Sequence, residues 1–138
     1  MQLKLTFAEI ENIVRTKTGK NLPLVYSGPH TIRINYEFKV LFRTSTVSLD
    51  ITIDEIVGGD TVYVSHNGGV AIDIALSTAL SRYNGQPGID MLEKVSDCHY
   101  RVCLSKNEQI SQVLERIELR DIHFDEQSVM IDFMPKGL

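Results

Sequence analysis

The sequence predicts an α+β fold: a single domain (residues 1–138) in which a curved, predominantly antiparallel sheet packs on an apolar helix, with two further helices. Three observations predict it. Two neighbouring segments alternate between apolar and polar residues, a later segment is apolar on most sides, and the chain has the size and composition of one globular domain. With 138 residues, 43% hydrophobic and 23% charged, the core is expected to need no metal or disulfide.

The first element is predicted to be an amphipathic helix. Thr6 and Glu9 form a capping-box pattern, apolar residues follow at helical spacing, and Gly19 ends the segment. A short strand over residues 22–26 and a turn at residues 27–29 then lead into the sheet.

Three successive antiparallel strands are predicted next. Residues 31–43 alternate cleanly, residues 47–53 repeat the alternation, and Gly58-Gly59-Asp60 turns the chain into a third strand over residues 61–65. We expect one side of these strands to face water. The other side of the first two is apolar and carries Ile32, Ile34, Tyr36, Phe38, Val40, Phe42, Val47, Leu49, Ile51 and Ile53.

Residues 70–80 follow Asn67-Gly68-Gly69 and are apolar on most sides, which predicts a deeply buried helix. This helix is the expected cover for the apolar strands, because leaving such a face in water would forfeit tens of kcal/mol at roughly 25 cal/mol per Å². Two interpretations remain open. Helix and sheet fill each other completely, or they leave an elongated apolar cavity for a lipid-like ligand.

The last part of the chain is predicted to mix helices and strands. Residues 89–95 are compatible with one or two turns of helix, and residues 98–104 with a strand. A second capping-box pattern at residues 105–108 begins a helix with one apolar stripe. Residues 118–124 and 128–134 then form a closing hairpin.

Charge and hydropathy argue against two classes of partner. The 14 Lys and Arg are scattered, the net charge is −4, and no cluster of cations suits nucleic acid or an anionic membrane. No apolar run is long enough to cross a bilayer, so we expect a soluble, cytoplasmic chain unless an export signal was removed upstream. Cys98 and Cys103 fall on opposite faces of the predicted strand and should not pair, which fits a reducing compartment.

The sequence predicts no catalytic residues, no metal and no cofactor. The four histidines, at positions 30, 66, 99 and 123, lack ligand spacing, and neither a nucleophile elbow nor a phosphate loop is present. The acidic side chains of the closing hairpin are expected to face solvent. An enzyme assembled from distant residues around His66, His99 and His123 is kept as an alternative.

One short segment leaves two interpretations open. Ser65-His66-Asn67-Gly68-Gly69 precedes the apolar helix, so free backbone N–H groups there could bind an anion, with His66 adding charge. The same residues suit a tight connection between a strand and a helix.

The order of elements resembles the tubular lipid-binding superfamily, in which a curved antiparallel sheet wraps a long helix and holds acyl chains. The resemblance spans about residues 47–133 and is a pattern of hydrophobicity and order. It is closest at residues 112–117 and in the apolar positions that follow, which are Leu119, Ile122, Phe124, Val129, Ile131 and Phe133. Similar endings close the small bacterial members, and the resemblance implies a lipid-like ligand.

These observations predict a non-enzymatic domain that binds an apolar or lipid-like ligand between sheet and helix. The alternative is an interaction or assembly module, a homo-oligomer in which a second subunit covers the apolar face. Leu41 and Met130 interrupt otherwise polar strand faces and would fit such a second buried patch. The predicted ligand-binding residues are Ile32, Ile34, Tyr36, Phe38, Val40, Leu49, Ile51, Ile53, Ile74 and Leu80.

Overall fold

The computed structural model describes residues 1–85 and 89–136, without the side chains of residues 38–40. In these residues it shows two antiparallel sheets and three α-helices, which confirms the α+β class. The helices are α1 (Phe7–Thr18), α2 (Gly69–Arg82) and α3 (Glu108–Leu114). The strands are β1 (Gln2–Thr6), β2 (Leu24–Gly28), β3 (Thr31–Val40), β4 (Arg43–Val57), β5 (Thr61–His66), β6 (Leu92–Ser96), β7 (His99–Cys103), β8 (Ile117–Phe124) and β9 (Ser128–Pro135).

The strands divide between two sheets where the sequence predicts one. The large sheet has the order β2-β3-β4-β5-β7-β6, and the small sheet has the order β1-β9-β8. The predicted meander of β3, β4 and β5 and the predicted closing hairpin of β8 and β9 are both present. The hairpin forms its own sheet because β9 pairs with β1, from the opposite end of the chain.

Helix α1 begins and ends where its sequence predicts. The Thr6 hydroxyl accepts a hydrogen bond from the Glu9 N–H at 3.1 Å, and the Glu9 carboxylate accepts one from the Thr6 N–H. Gly19 ends the helix in the left-handed conformation with φ 73°, and its N–H donates to the Arg15 carbonyl.

One apolar core joins the two sheets. Its buried side chains are Phe7 of α1, Ile32 of β3, and Phe124 and Val129 of the small sheet. Partly buried apolar side chains pack around them, including Ile51 and Ile53 of β4 (the others are Ile10, Leu24, Tyr26, Ile122 and Ile131). Helix α1 and the small sheet therefore cover the apolar face of β3 and β4 around Ile32.

Helix α2 is not deeply buried, contrary to the sequence prediction. Among its residues only Asp73 is buried, while Val70 and Ile74 are 67% and 62% exposed. The prediction was wrong because α1 and the small sheet already cover the strands that α2 was expected to cover. An apolar composition on most sides of a helix did not bring burial here.

Three local expectations were also wrong. Residues 89–91 form one 3₁₀ turn, but residues 92–96 form β6 instead of a further turn of helix, because Leu92 pairs with Val102 in β7. Cys98 lies in the turn between β6 and β7 with φ 63°, so β7 begins at His99. The cap of α3 is Asn107, whose side chain accepts from the Ile110 N–H at 3.0 Å.

In the part of the chain that is described, no helix is both long and apolar enough to span a membrane.

Candidate functional site

A buried carboxylate attaches α2 to the large sheet. Asp73 is 3% exposed, and its Oδ1 accepts a hydrogen bond from the Tyr100 hydroxyl at 2.8 Å and lies 2.8 Å from His66 Nε2. Its Oδ2 accepts from the Cys98 N–H at 2.9 Å, and Lys94 Nζ lies 3.8 Å from that oxygen. We call these five residues the Asp73 cluster.

Strand pairing places the partners of Asp73 on one face of the large sheet. Lys94 of β6 lies opposite Tyr100 of β7, and Tyr100 lies opposite Val64 of β5. Alternation along β5 puts His66 on the same face as Val64. Because α2 starts directly after β5 and lies over this face, Asp73 reaches all three side chains.

The hydrogen bonds of His66 assign its tautomer. Its Nδ1 accepts from the Gly68 N–H at 3.0 Å, so the ring proton belongs on Nε2, which donates to Asp73. The imidazole is therefore neutral and both of its nitrogens are occupied. This arrangement disfavours the anion-binding interpretation of residues 65–69, since His66 adds no positive charge and the Gly68 N–H is already used.

The cluster shifts the acidity of two of its members. Burial acts to raise the pKa of Asp73, but hydrogen bonds from Tyr100, His66 and Cys98 and the charge of Lys94 outweigh it and hold that pKa well below its ordinary value. Burial and the neighbouring Asp73 carboxylate raise the pKa of Tyr100 to about 12. The stable form is thus an ionised Asp73 beside a neutral tyrosine.

Chemically, this arrangement suits an anchor better than a catalytic dyad. A general base needs a free lone pair that can take a proton from a substrate, and the lone pair of His66 is bonded to Gly68. The Cys98 thiol lies near His66 and Asp73, with one ligand atom from each within 4.8 Å of the others. A metal ion bound there would have to displace the hydrogen bonds of the Asp73 cluster.

The three histidines of the enzyme alternative do not meet. His66 and His99 lie on neighbouring strands, but His99 pairs with Ser65 and so faces the opposite side of the sheet from His66. His123 belongs to β8 in the small sheet. No common site for the three is formed.

The predicted ligand-binding residues follow one sheet face and α2 but differ in burial. Ile32 is buried, and Ile51 and Ile53 are partly buried beside it in the core. Ile34, Leu49 and Leu80 are half-buried, whereas Tyr36 and Ile74 are exposed (the side chains of Phe38 and Val40 lie outside the described residues).

Two grooves on the described surface are lined by other residues. One, of about 680 Å³, runs beside α3 and includes Gln112 and Arg116, and the other, of about 470 Å³, includes Ser77 and Arg82 on α2. Neither groove contains a predicted ligand-binding residue.

A second polar cluster, on the small sheet, was missed from the sequence. The structure brings together Asp121, His123 and Asp132, which come from β8 and β9. The signal was partial: residues 121 and 123 share a strand face, but the predicted hairpin, closed over residues 125–127, places residue 131 opposite residue 121. The observed register differs by one residue and brings Asp132 there. The prediction that the hairpin carboxylates face solvent fits their partial exposure, but it did not consider them together with His123.

Comparisons with protein-family models, curated proteins and solved structures found no match to this chain. The resemblance to the tubular lipid-binding superfamily therefore stays a prediction.

Proposed function

We propose that the protein is a non-enzymatic assembly domain that binds a second copy of itself through exposed apolar surface. The accessible surface of the chain is 9321 Å². A folded monomer of 15.6 kDa is expected to expose about 7,250 Å². The excess of about 2,000 Å², which counts polar and apolar area together, exceeds the roughly 800 Å² that each partner buries in a standard interface. This excess surface is the observation that supports the proposal.

The contact surface that we propose lies on the outer side of α2. Val70, Ala71, Ile74 and Ala75 are all exposed and adjacent on the helix, and we call them the α2 patch. The patch carries no charge, so burying it removes no ion from water. Its two alanines allow another helix to approach closely, and the same patch on two copies can pack about a two-fold axis.

Anchoring by Asp73 is compatible with this use of α2. The Asp73 cluster holds one side of the helix on the sheet through hydrogen bonds, while the apolar residues of the α2 patch point to the other side. An apolar helix face in water is a common feature of surfaces that bind protein. The helix is thus fixed in place yet keeps its apolar outer side free for a second copy.

An Ile74→Glu variant tests the proposal. We expect the wild-type protein to sediment as a dimer at micromolar concentration, and the variant to dimerise at least 10-fold more weakly because a carboxylate would be buried in the interface. Sedimentation velocity over a concentration series measures both. Thr16→Glu is the control, since it adds the same charge at an exposed position of another helix, α1. A monomeric wild type at these concentrations, or equal weakening by both variants, would contradict the proposal.

A second candidate function is the binding of an apolar, lipid-like ligand between β3, β4 and α2. Ile34, Leu49 and Leu80 are only half-buried. The one buried residue of α2 is the carboxylate Asp73, not an apolar side chain. Both observations favour this candidate. Imperfect apolar packing between a helix and a sheet is where such a ligand would enter.

Solvent extraction of the folded protein followed by mass spectrometry tests this candidate. We expect a near-stoichiometric apolar compound in the wild type, and a reduced amount in Ile34→Glu. Asn35→Glu places the same charge on the opposite face of β3 and should retain the compound. Extracts without a co-purifying apolar compound would exclude the candidate.

We place the protein in the cytoplasm as part of the same proposal. Cys98 and Cys103 are both free thiols, which suits a reducing compartment. The net charge of −4 also supports a protein surface, rather than nucleic acid, as the partner.

A further inference from the structure

Three side chains of types that commonly bind metal ions lie close together on the partly exposed face of the small sheet. Asp121 and His123 share one face of β8, and Asp132 lies directly opposite Asp121 on β9. His123 Nδ1 lies 3.2 Å from Asp121 Oδ2 and 3.6 Å from Asp132 Oδ2. One ligand atom from each of the three residues lies within 4.8 Å of the other two.

Two features of this group are unfavourable without a cation. His123 Nδ1 is shielded from solvent and makes no hydrogen bond, although two carboxylate oxygens are close to it. Buried polar atoms normally have a partner. Asp121 and Asp132 are also like charges at directly opposed positions, which destabilises a strand pair. A cation among the three ligand atoms would satisfy the nitrogen and offset the repulsion.

Neighbouring side chains orient the two carboxylates. Gln2 Nε2 donates to Asp132 Oδ1 at 3.0 Å, which leaves Oδ2 facing His123. His30 Nε2 lies 3.5 Å from Asp121 Oδ1, and Asp121 likewise directs its Oδ2 to His123. Such outer partners hold the ligands of natural metal sites in position.

We propose that Asp121, His123 and Asp132 bind a divalent transition-metal ion of the zinc class. Metal–ligand bonds of 2.0–2.2 Å in a tetrahedron separate the ligand atoms by about 3.4 Å, and the nitrogen–oxygen distances of 3.2 and 3.6 Å lie on either side of that value. An imidazole with two carboxylates suits zinc better than magnesium or calcium, which prefer oxygen ligands.

The bound ion would link β8 to β9 and keep one coordination position for water. Three protein ligands leave the fourth position of a tetrahedral ion open, and all three residues are only partly buried, so solvent can reach it. The site is separate from the α2 patch, which lies on a helix over the other sheet. Metal binding and self-association can therefore succeed or fail independently.

Titration of the tag-free protein with Zn²⁺, followed by calorimetry, tests the site. We expect one ion per chain, and at least 10-fold weaker binding in His123→Ala and in Asp132→Asn, since each loses a direct ligand. His99→Ala and Asp90→Asn are matched controls at exposed positions outside the group, and they should bind like the wild type.

Titration with Co²⁺ locates the ion by its spectrum. The wild type should show visible absorption bands of a low-symmetry site without a sulfur-to-metal band, whereas His123→Cys should gain that band because it brings a thiolate to the ion. Absence of stoichiometric Zn²⁺ binding would overturn the proposal. So would binding that is unchanged in both ligand variants, or a sulfur-to-metal band in the wild type that Cys98→Ser removes, which would place the ion beside Asp73.

Discussion

Replacement of Asp73 by alanine is expected to lower the melting temperature of the protein by about 10 °C, because it removes one acceptor from several buried donors at once. The Tyr100 hydroxyl, the His66 Nε2–H and the Cys98 N–H would all lose their partner. Among the residues of α2, Asp73 is the one that is buried, so its loss should also release the helix from the sheet. Calorimetry measures the first effect, and hydrogen exchange of the α2 amides measures the second.

Ser77→Ala is the control for this prediction. Ser77 lies one turn further along α2 and is exposed, so its replacement should change the melting temperature by no more than a degree or two. If Asp73→Ala and Ser77→Ala melt at the same temperature, the Asp73 cluster does not anchor the helix.

The same carboxylate should make the stability depend on pH in acid. The pKa of Asp73 is lower in the folded protein than in the unfolded chain, so the unfolded chain takes up the proton first as pH falls. The stabilisation is therefore complete above about pH 5 and is lost as pH falls towards the folded-state pKa. The advantage of the wild type over Asp73→Asn should shrink through this range, whereas a constant difference would contradict the assignment.

Gly68→Ala is the second substitution with a large expected effect. Gly68 precedes α2 with φ −84°, a conformation that alanine adopts readily, so the cost is purely steric. An added Cβ would overlap the side chain of Ile72 and would lie 2.8 Å from Leu49 Cδ1 on β4. Overpacking of this kind typically costs about 1–3 kcal/mol in the free energy of unfolding.

Chemical denaturation of Gly68→Ala beside Gly28→Ala measures this cost. The Cβ at Gly28 would make only ordinary contacts with Thr31, the nearest at 3.7 Å, so that variant should stay within about 0.5 kcal/mol of the wild type. Equal stabilities of the two variants would show that α2 shifts away from β4 without cost.

Local patterns were sufficient for α1 and for most of β3 and β4. The predicted first strand over residues 31–43 was too long, because β3 ends at Val40 and Leu41 and Phe42 lie in the exposed turn to β4. The capping box of α1 involves residues three positions apart, and the alternation in β3 and β4 depends only on each strand having one covered face. In such elements the residues that decide the structure are neighbours in the sequence. The meander and the closing hairpin were predictable for the same reason, because short turns join their strands.

The division into two sheets, the exposure of α2 and the Asp73 cluster depend on contacts between distant parts of the chain. β1 is a short strand that is defined by its pairing with β9, and that pairing divides the strands into two sheets. The cover formed by α1 and the small sheet then leaves α2 exposed, which its composition alone could not reveal. The Asp73 cluster likewise joins residues from β5, α2, β6 and β7, so no local motif announces it.

The large sheet has fewer strands at the end where β4 begins. β5 begins to pair with β4 only at Ile51, so residues 43–48 of β4 are bonded to β3 alone. A ribbon of two strands is barely stable in water by itself. The backbone amide protons of residues 43–48 should therefore exchange with solvent well before those of β5, which is flanked by a strand on each side.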